Sequence, residues 1–167
     1  MKRLWILMLV VAFGASSLYA QDKSSKTRIG DRLSYMKSHL TLSQKESQSF
    51  WKLYEQYLNE EMKVMDNYRK NLEKQGIKLG APGTNKDAIA KLNDKQLTYL
   101  HDQKFQLRQS LLTLETSYYK KYKAILTPRH LQDLYDLEYK YKRLMTQKKK
   151  EATKEDSTLI NTGKKKR

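Results

Sequence analysis

The sequence predicts an all-α protein: a long helical hairpin with two shorter flanking helices, a thin four-helix cradle that pairs into a homodimer. Three features predict this. Apolar residues recur every three or four positions through most of the chain, and no segment sustains a period of two. One strong cluster of helix breakers interrupts the pattern, at residues 76–83, with three of the six glycines and one of the two prolines. No cysteine is present, so packing alone must hold the fold.

The helices follow in order. Ile29, Leu33, Met36 and Leu40 repeat at four, three and four residues, one face of a short first helix. A second helix is expected from about Leu42. Phe50, Tyr54, Tyr57, Met65, Tyr68 and Leu72 form its apolar stripe, flanked by Trp51, Leu58 and Met62. Gly76 is placed to cap its end near Gln75. A third helix is expected as one piece from about Lys86 to Ile125. Leu97, Leu111, Tyr118 and Ile125 fall on multiples of seven, as do Leu100, Leu107 and Leu114, a narrow coiled-coil-like seam broken at Lys104. Pro128 opens a fourth helix, with Leu131, Leu134, Leu137, Tyr141 and Leu144 inward. Helices two and three would span roughly 50–60 Å at 1.5 Å per residue. Helices that long and thin leave apolar surface uncovered within one chain, which calls for a second copy or a binding surface.

Residues 1–20 have the pattern of a secretory signal peptide. Lys2 and Arg3 precede an unbroken apolar run over residues 4–13, too short to span a membrane, and small residues lead to Ala20. Cleavage after Ala20 leaves Gln21 first; cleavage after Ser17 is the alternative. No cysteine follows the run, which excludes a lipoprotein anchor, and no stable membrane anchor is expected. The mature chain is expected to hold a flexible lead-in over 21–28, one helical domain over 29–147 and a disordered basic tail over 148–167. Without the leader, 32 basic residues face 18 acidic ones, a net charge of +14. In a cytosolic protein this balance would point to nucleic acid. Export redirects the expectation to periplasmic acidic partners and away from nucleic acid.

Two short motifs stand at helix starts. In Leu40-Thr41-Leu42-Ser43-Gln44, Thr41 can cap the second helix while Gln44 reaches back to its N–H, a capping box. In Leu126-Thr127-Pro128-Arg129-His130, Thr127 caps the last helix and Pro128 takes the first helical position. Leu126 and Leu131 are placed for a hydrophobic staple. With these motifs the chain resembles the periplasmic CpxP/Spy family, whose members carry two Leu-Thr-x-x-Gln motifs in a short, basic, exported all-helical protein. It looks most like the Bacteroidetes branch, through Phe50-Trp51-Lys52-Leu53-Tyr54 and the tyrosine-rich segment from Tyr118 to Pro128. The resemblance covers roughly residues 29–146. The second motif departs from the pattern, with His130 where Gln is expected.

The resemblance implies a cradle-shaped dimer working in envelope stress. One relative is an ATP-independent chaperone for unfolded proteins, another restrains an envelope-stress sensor kinase, a third is linked to zinc, and some act beside extracytoplasmic sigma factors. The expected function is that of a periplasmic holdase for unfolded or partly folded envelope proteins. The alternative is a regulator bound to one stress sensor. A lesser alternative is the exported Skp/OmpH chaperone group, whose mature chains begin with a β-strand segment where this one is polar.

No enzyme and no cofactor are expected. His39, His101 and His130 are not at i,i+4 ligand spacing, and no glycine-rich phosphate loop follows a strand. The candidate client surface is the mixture of tyrosine and lysine at Tyr118, Tyr119, Lys120, Lys121, Tyr122, Lys123, Tyr139 and Lys140. Tyrosine offers an apolar ring with a wet hydroxyl, and lysine attracts acidic segments. Neighbouring helical residues point in different directions, so Tyr118 and Tyr119 cannot both face one seam.

Overall fold

The computed structural model describes residues 27–79 and 85–163, except for the side chains of residue 149 and residues 152–163. The expected signal peptide and most of the lead-in lie outside this range, as does the run at 164–167. Among the described residues the fold is all-α, with five helices and no strand. They are α1 over residues 27–39, α2 (Gln44–Lys74), α3 (Lys86–Ala90), α4 (Asp94–Lys123) and α5 (Pro128–Gly163). At 1.5 Å per residue α2 and α4 are each about 45 Å long. They pair as a hairpin, with α5 returning along the C-terminal half of α4.

Three boundaries differ from the sequence expectation. The chain is already helical at residues 27 and 28, inside the expected lead-in. The expected third helix is two helices, broken at Lys91, Leu92 and Asn93. Asn93 takes extended backbone angles and starts α4 with its own capping box: Gln96 N–H donates to Asn93 Oδ1 at 2.9 Å, and Asn93 N–H donates to Gln96 Oε1 at 3.2 Å. The backbone of α5 runs on through residues 148–163 in place of a disordered tail. That stretch has few apolar residues, but it holds good helix formers and no proline or glycine before Gly163, so a packed helix can propagate through it.

Gly76 ends α2 as expected. At φ 71° it occupies the left-handed region, its N–H donates to the Glu73 carbonyl, and the Ile77 N–H donates to the Leu72 carbonyl. This is the Schellman pattern, and its usual hydrophobic contact is present, because Leu72 and Ile77 are both buried in one cluster.

Apolar burial divides between two ends of the hairpin. The larger core joins α1, α2, α4 and α5 through Met36, Leu40, Phe50, Tyr54, Leu58, Tyr118, Tyr122, Leu126, Leu134 and Leu137. The smaller one gathers Leu72, Ile77 and Leu100, with Tyr68, Leu79, Ile89, Leu92 and Tyr99 against them. Between them the apolar residues Met62, Met65, Leu107 and Leu111 are only half-buried, and polar contacts join the helices. Gln103, itself buried, accepts from Asn71 at 3.2 Å and donates to Gln106 at 2.8 Å. An open groove of about 640 Å³ lies there, lined by Val64, Gln106, Gln109, Ser110, Thr113, Leu114 and Ser117.

Candidate functional site

The two helix-start motifs, far apart in sequence, meet at one carboxylate. The N-cap of α2 is Ser43, two residues beyond the expected Thr41. Ser43 N–H donates to Glu46 Oε2 at 3.0 Å, and the Glu46 N–H reaches back to Ser43 Oγ at 3.4 Å. A carboxylate at the third position suits the positive end of a helix better than the amide of Gln44. Thr41 and Gln44 are exposed, while Leu40 fills the larger core. Glu46 Oε1 then crosses to the other motif. It accepts the backbone N–H of Thr127 at 3.0 Å and the Nδ1–H of His130 at 2.8 Å. Thr127 caps α5 as expected, its hydroxyl accepting from the His130 N–H at 3.2 Å. Pro128 takes the first helical position, and Leu126 and Leu131 pack into the same core. The His130 imidazole, then Ser43 and the Thr127 N–H, hold the Glu46 carboxyl down at about 2, against burial that pushes it up.

Gln96 repeats the device at the other end of the hairpin. It closes the capping box of α4, and its Nε2 donates to the Gln75 carbonyl at the end of α2 at 3.1 Å. In both places a side chain from the first turn of one helix also satisfies a backbone group at the end of another.

A buried ion network fastens α1 to α2 and α5. Arg32 donates to Glu61 and to both oxygens of Glu138, at 2.5 Å, 2.5 Å and 3.1 Å. The Tyr54 hydroxyl donates to Glu138 as well. Burial pushes the Tyr54 phenol well above its ordinary value, so it stays a donor. Tyr122 beside it is raised by burial too, and its hydroxyl has no partner among the described residues. It lines a cavity of about 30 Å³, enough for one water-sized guest.

The expected client surface divides in two. Tyr118 and Tyr122 belong to the larger core and cannot meet a client. Their i,i+4 spacing puts both on the face of α4 that covers Phe50 and Tyr57, where their rings pack. Tyr118 also donates to Glu60 at 2.9 Å, and burial with that contact pushes its phenol up to about 12. Tyr119, Lys120, Lys121, Lys123, Tyr139 and Lys140 are exposed. Lys121 lies over the edge of the core, its Nζ 4.2 Å from the centre of the Tyr118 ring.

Of the three most exposed apolar residues on α4, Tyr119 was among the expected ones and Phe105 and Leu112 were not. Phe105 is 65% exposed, Leu112 64% and Tyr119 39%. They stand seven residues apart, one row along the outer side of α4. Cations attend the rings: Arg108 lies 5.9 Å from the Phe105 centroid and Lys123 5.6 Å from that of Tyr119. On α5, Tyr139 is 63% exposed and carries Arg143 at 5.8 Å. The seven-residue spacing of Phe105, Leu112 and Tyr119 was present in the sequence, hidden beside two stronger leucine rows with the same period.

Other grooves lie along the described residues. One lies where the two motifs meet, lined by His39, Thr41, Arg129, His130, Asp133, Asp136 and Lys140 among others. Among the described residues no group of three or more His, Asp or Glu side chains is arranged to hold a metal ion. No helix among them is long and apolar enough to cross a membrane. Comparison with known proteins adds no relative: no family model matches the chain, and no curated protein or solved structure is significantly similar to it.

Proposed function

We propose that this protein is an ATP-independent periplasmic holdase that binds unfolded or partly folded envelope proteins. The observation that carries the reading is the row Phe105, Leu112 and Tyr119, large apolar residues left open along α4 while the cores close without them. Surface of this kind marks binding. A row of apolar side chains beside cations suits a client of variable sequence, because ring and methyl contacts are tolerant and the basic field draws in acidic segments. Lys120, Lys121, Lys123 and Lys140 strengthen that field near Tyr119 and Tyr139. The exported setting rests on the leader at residues 1–20.

The test is suppression of aggregation of several chemically unfolded, unrelated proteins by the mature chain without ATP. At stoichiometric amounts it delays aggregation of all of them, and added salt weakens the effect on acidic clients. Replacing Lys120, Lys121 and Lys123 by Gln weakens capture of acidic clients more than of neutral ones. No protection of any client, together with tight retention of a single envelope sensor, would reject the holdase in favour of the regulator.

A further inference from the structure

α5 outlasts the core to which it belongs. Leu134, Leu137 and Tyr141 are buried and Leu144 and Met145 half-buried, but no described side chain from Thr146 onward is buried. The backbone nevertheless stays helical to Gly163. Where the helix leaves the core its composition turns one-sided: residues 139–150 hold six basic residues and no acidic one. Tyr139, Lys140, Arg143, Gln147 and Lys150 follow one another at one-, three- and four-residue steps. That spacing gathers them on one side of the helix, roughly opposite Leu137, Tyr141 and Leu144.

Little on the protein neutralises this face. Asp136, one turn before Lys140, shares a groove with it and accepts from Gln132, and Glu115 of α4 lines a cavity with Lys142. Glu151 follows at the C-terminal end of the face. Among the described residues Lys140, Arg143 and Lys150 make no ion pair, and the guanidinium of Arg143 lies over the exposed Tyr139 ring. Such a row suits a surface that offers many negative charges at one level.

We propose that this face of α5 docks the protein reversibly on a bilayer surface rich in anionic phospholipid headgroups. Lys140, Arg143 and Lys150 form a row of cations about 15 Å long at 1.5 Å per residue, which lies flat against such a surface. With Lys142, Lys148 and Lys149 the stretch holds six Lys and Arg, within the four to eight usual for anionic-lipid attraction. Tyr139 brings an aromatic ring with a hydroxyl, the side chain that sits at headgroup depth. The row carries no large aliphatic residue, so the helix lies on the surface without inserting and is released by salt. The inference rests on α5 alone and does not depend on the holdase function.

Co-sedimentation of the mature chain with lipid vesicles tests it, with no client protein in the mixture. The chain sediments with vesicles of phosphatidylethanolamine and phosphatidylglycerol, stays in solution with phosphatidylcholine vesicles, and returns to solution as salt rises. The changes Lys140→Gln, Arg143→Gln and Lys150→Gln at these exposed positions together weaken vesicle binding by roughly a hundredfold, with the circular dichroism spectrum unchanged. Tyr139→Ala weakens it several-fold without affecting binding to soluble polyglutamate. Equal sedimentation with phosphatidylcholine would overturn the proposal. Binding unchanged in the variant lacking Lys140, Arg143 and Lys150 would do so too, as would displacement from the vesicles by polyglutamate at matched charge, which would assign the face to acidic polypeptide.

Discussion

Glu46 is a single carboxylate placed at the starts of two helices. It closes the capping box of α2 and accepts from Thr127 and His130 at the start of α5. Glu46→Gln keeps the shape and removes the charge, and should lower stability by about 1.5–3 kcal/mol in urea unfolding, the range for hydrogen bonds to charged groups. The sign of the pH dependence follows from the lowered carboxyl. Its contribution is complete above its ordinary value near 4.5 and is lost as pH falls toward about 2. The stability gap between the native chain and Glu46→Gln should therefore close over that window. His130→Gln can still donate to Glu46 and should stay near native stability, whereas His130→Ala should not. Arg32 is the other critical residue. Arg32→Ala leaves Glu61 and Glu138 without their buried cation and should destabilise by about 3–5 kcal/mol in the same measurement. Nothing local announces this network, because Arg32 and Glu138 are 106 residues apart.

At the scale of elements, capping chemistry sets the boundaries. Ser43→Ala should lower stability by about 0.5–2 kcal/mol, and Thr127→Ala by a similar amount, while Thr41→Ala, an exposed position without a capping bond, should be close to neutral. Gly76→Ala should lower the melting point through a loss of about 1–2 kcal/mol, because a Cβ is strained in the left-handed region. Nothing nearer than Gln96 Nε2 at 3.7 Å would meet that Cβ, so the backbone alone is responsible. The helices themselves were legible from the three-and-four spacing, and Gly76 and Pro128 from their positions. The box at Asn93 and Gln96 carried a signal too, but the strong leucine rows on either side masked it. At Ser43 and Thr41 two overlapping boxes competed, and contact with α5 decides for the one that holds the carboxylate. Spacing also places Phe105, Leu112 and Tyr119 on one side of α4 without saying whether that side is covered. Only the position of α2 and α5 leaves it open.

Among the described residues the molecule is a hairpin with a core at each end and a half-buried middle. The end holding Leu72, Ile77 and Leu100 buries less apolar surface than the end holding Phe50, Tyr54 and Leu134. Amide hydrogen exchange should accordingly show slower exchange around Tyr54 and Tyr118 than around Leu100. The row Phe105, Leu112 and Tyr119 is the centre of the functional account, since it is apolar surface that the fold itself does not use. The most direct measurement compares the native chain with the double variant Phe105→Ser and Leu112→Ser in aggregation suppression of an unfolded client, with melting temperature followed in parallel. The account predicts an unchanged melting temperature, because both side chains are exposed, and loss of most of the protection. Full protection by the double variant would contradict it.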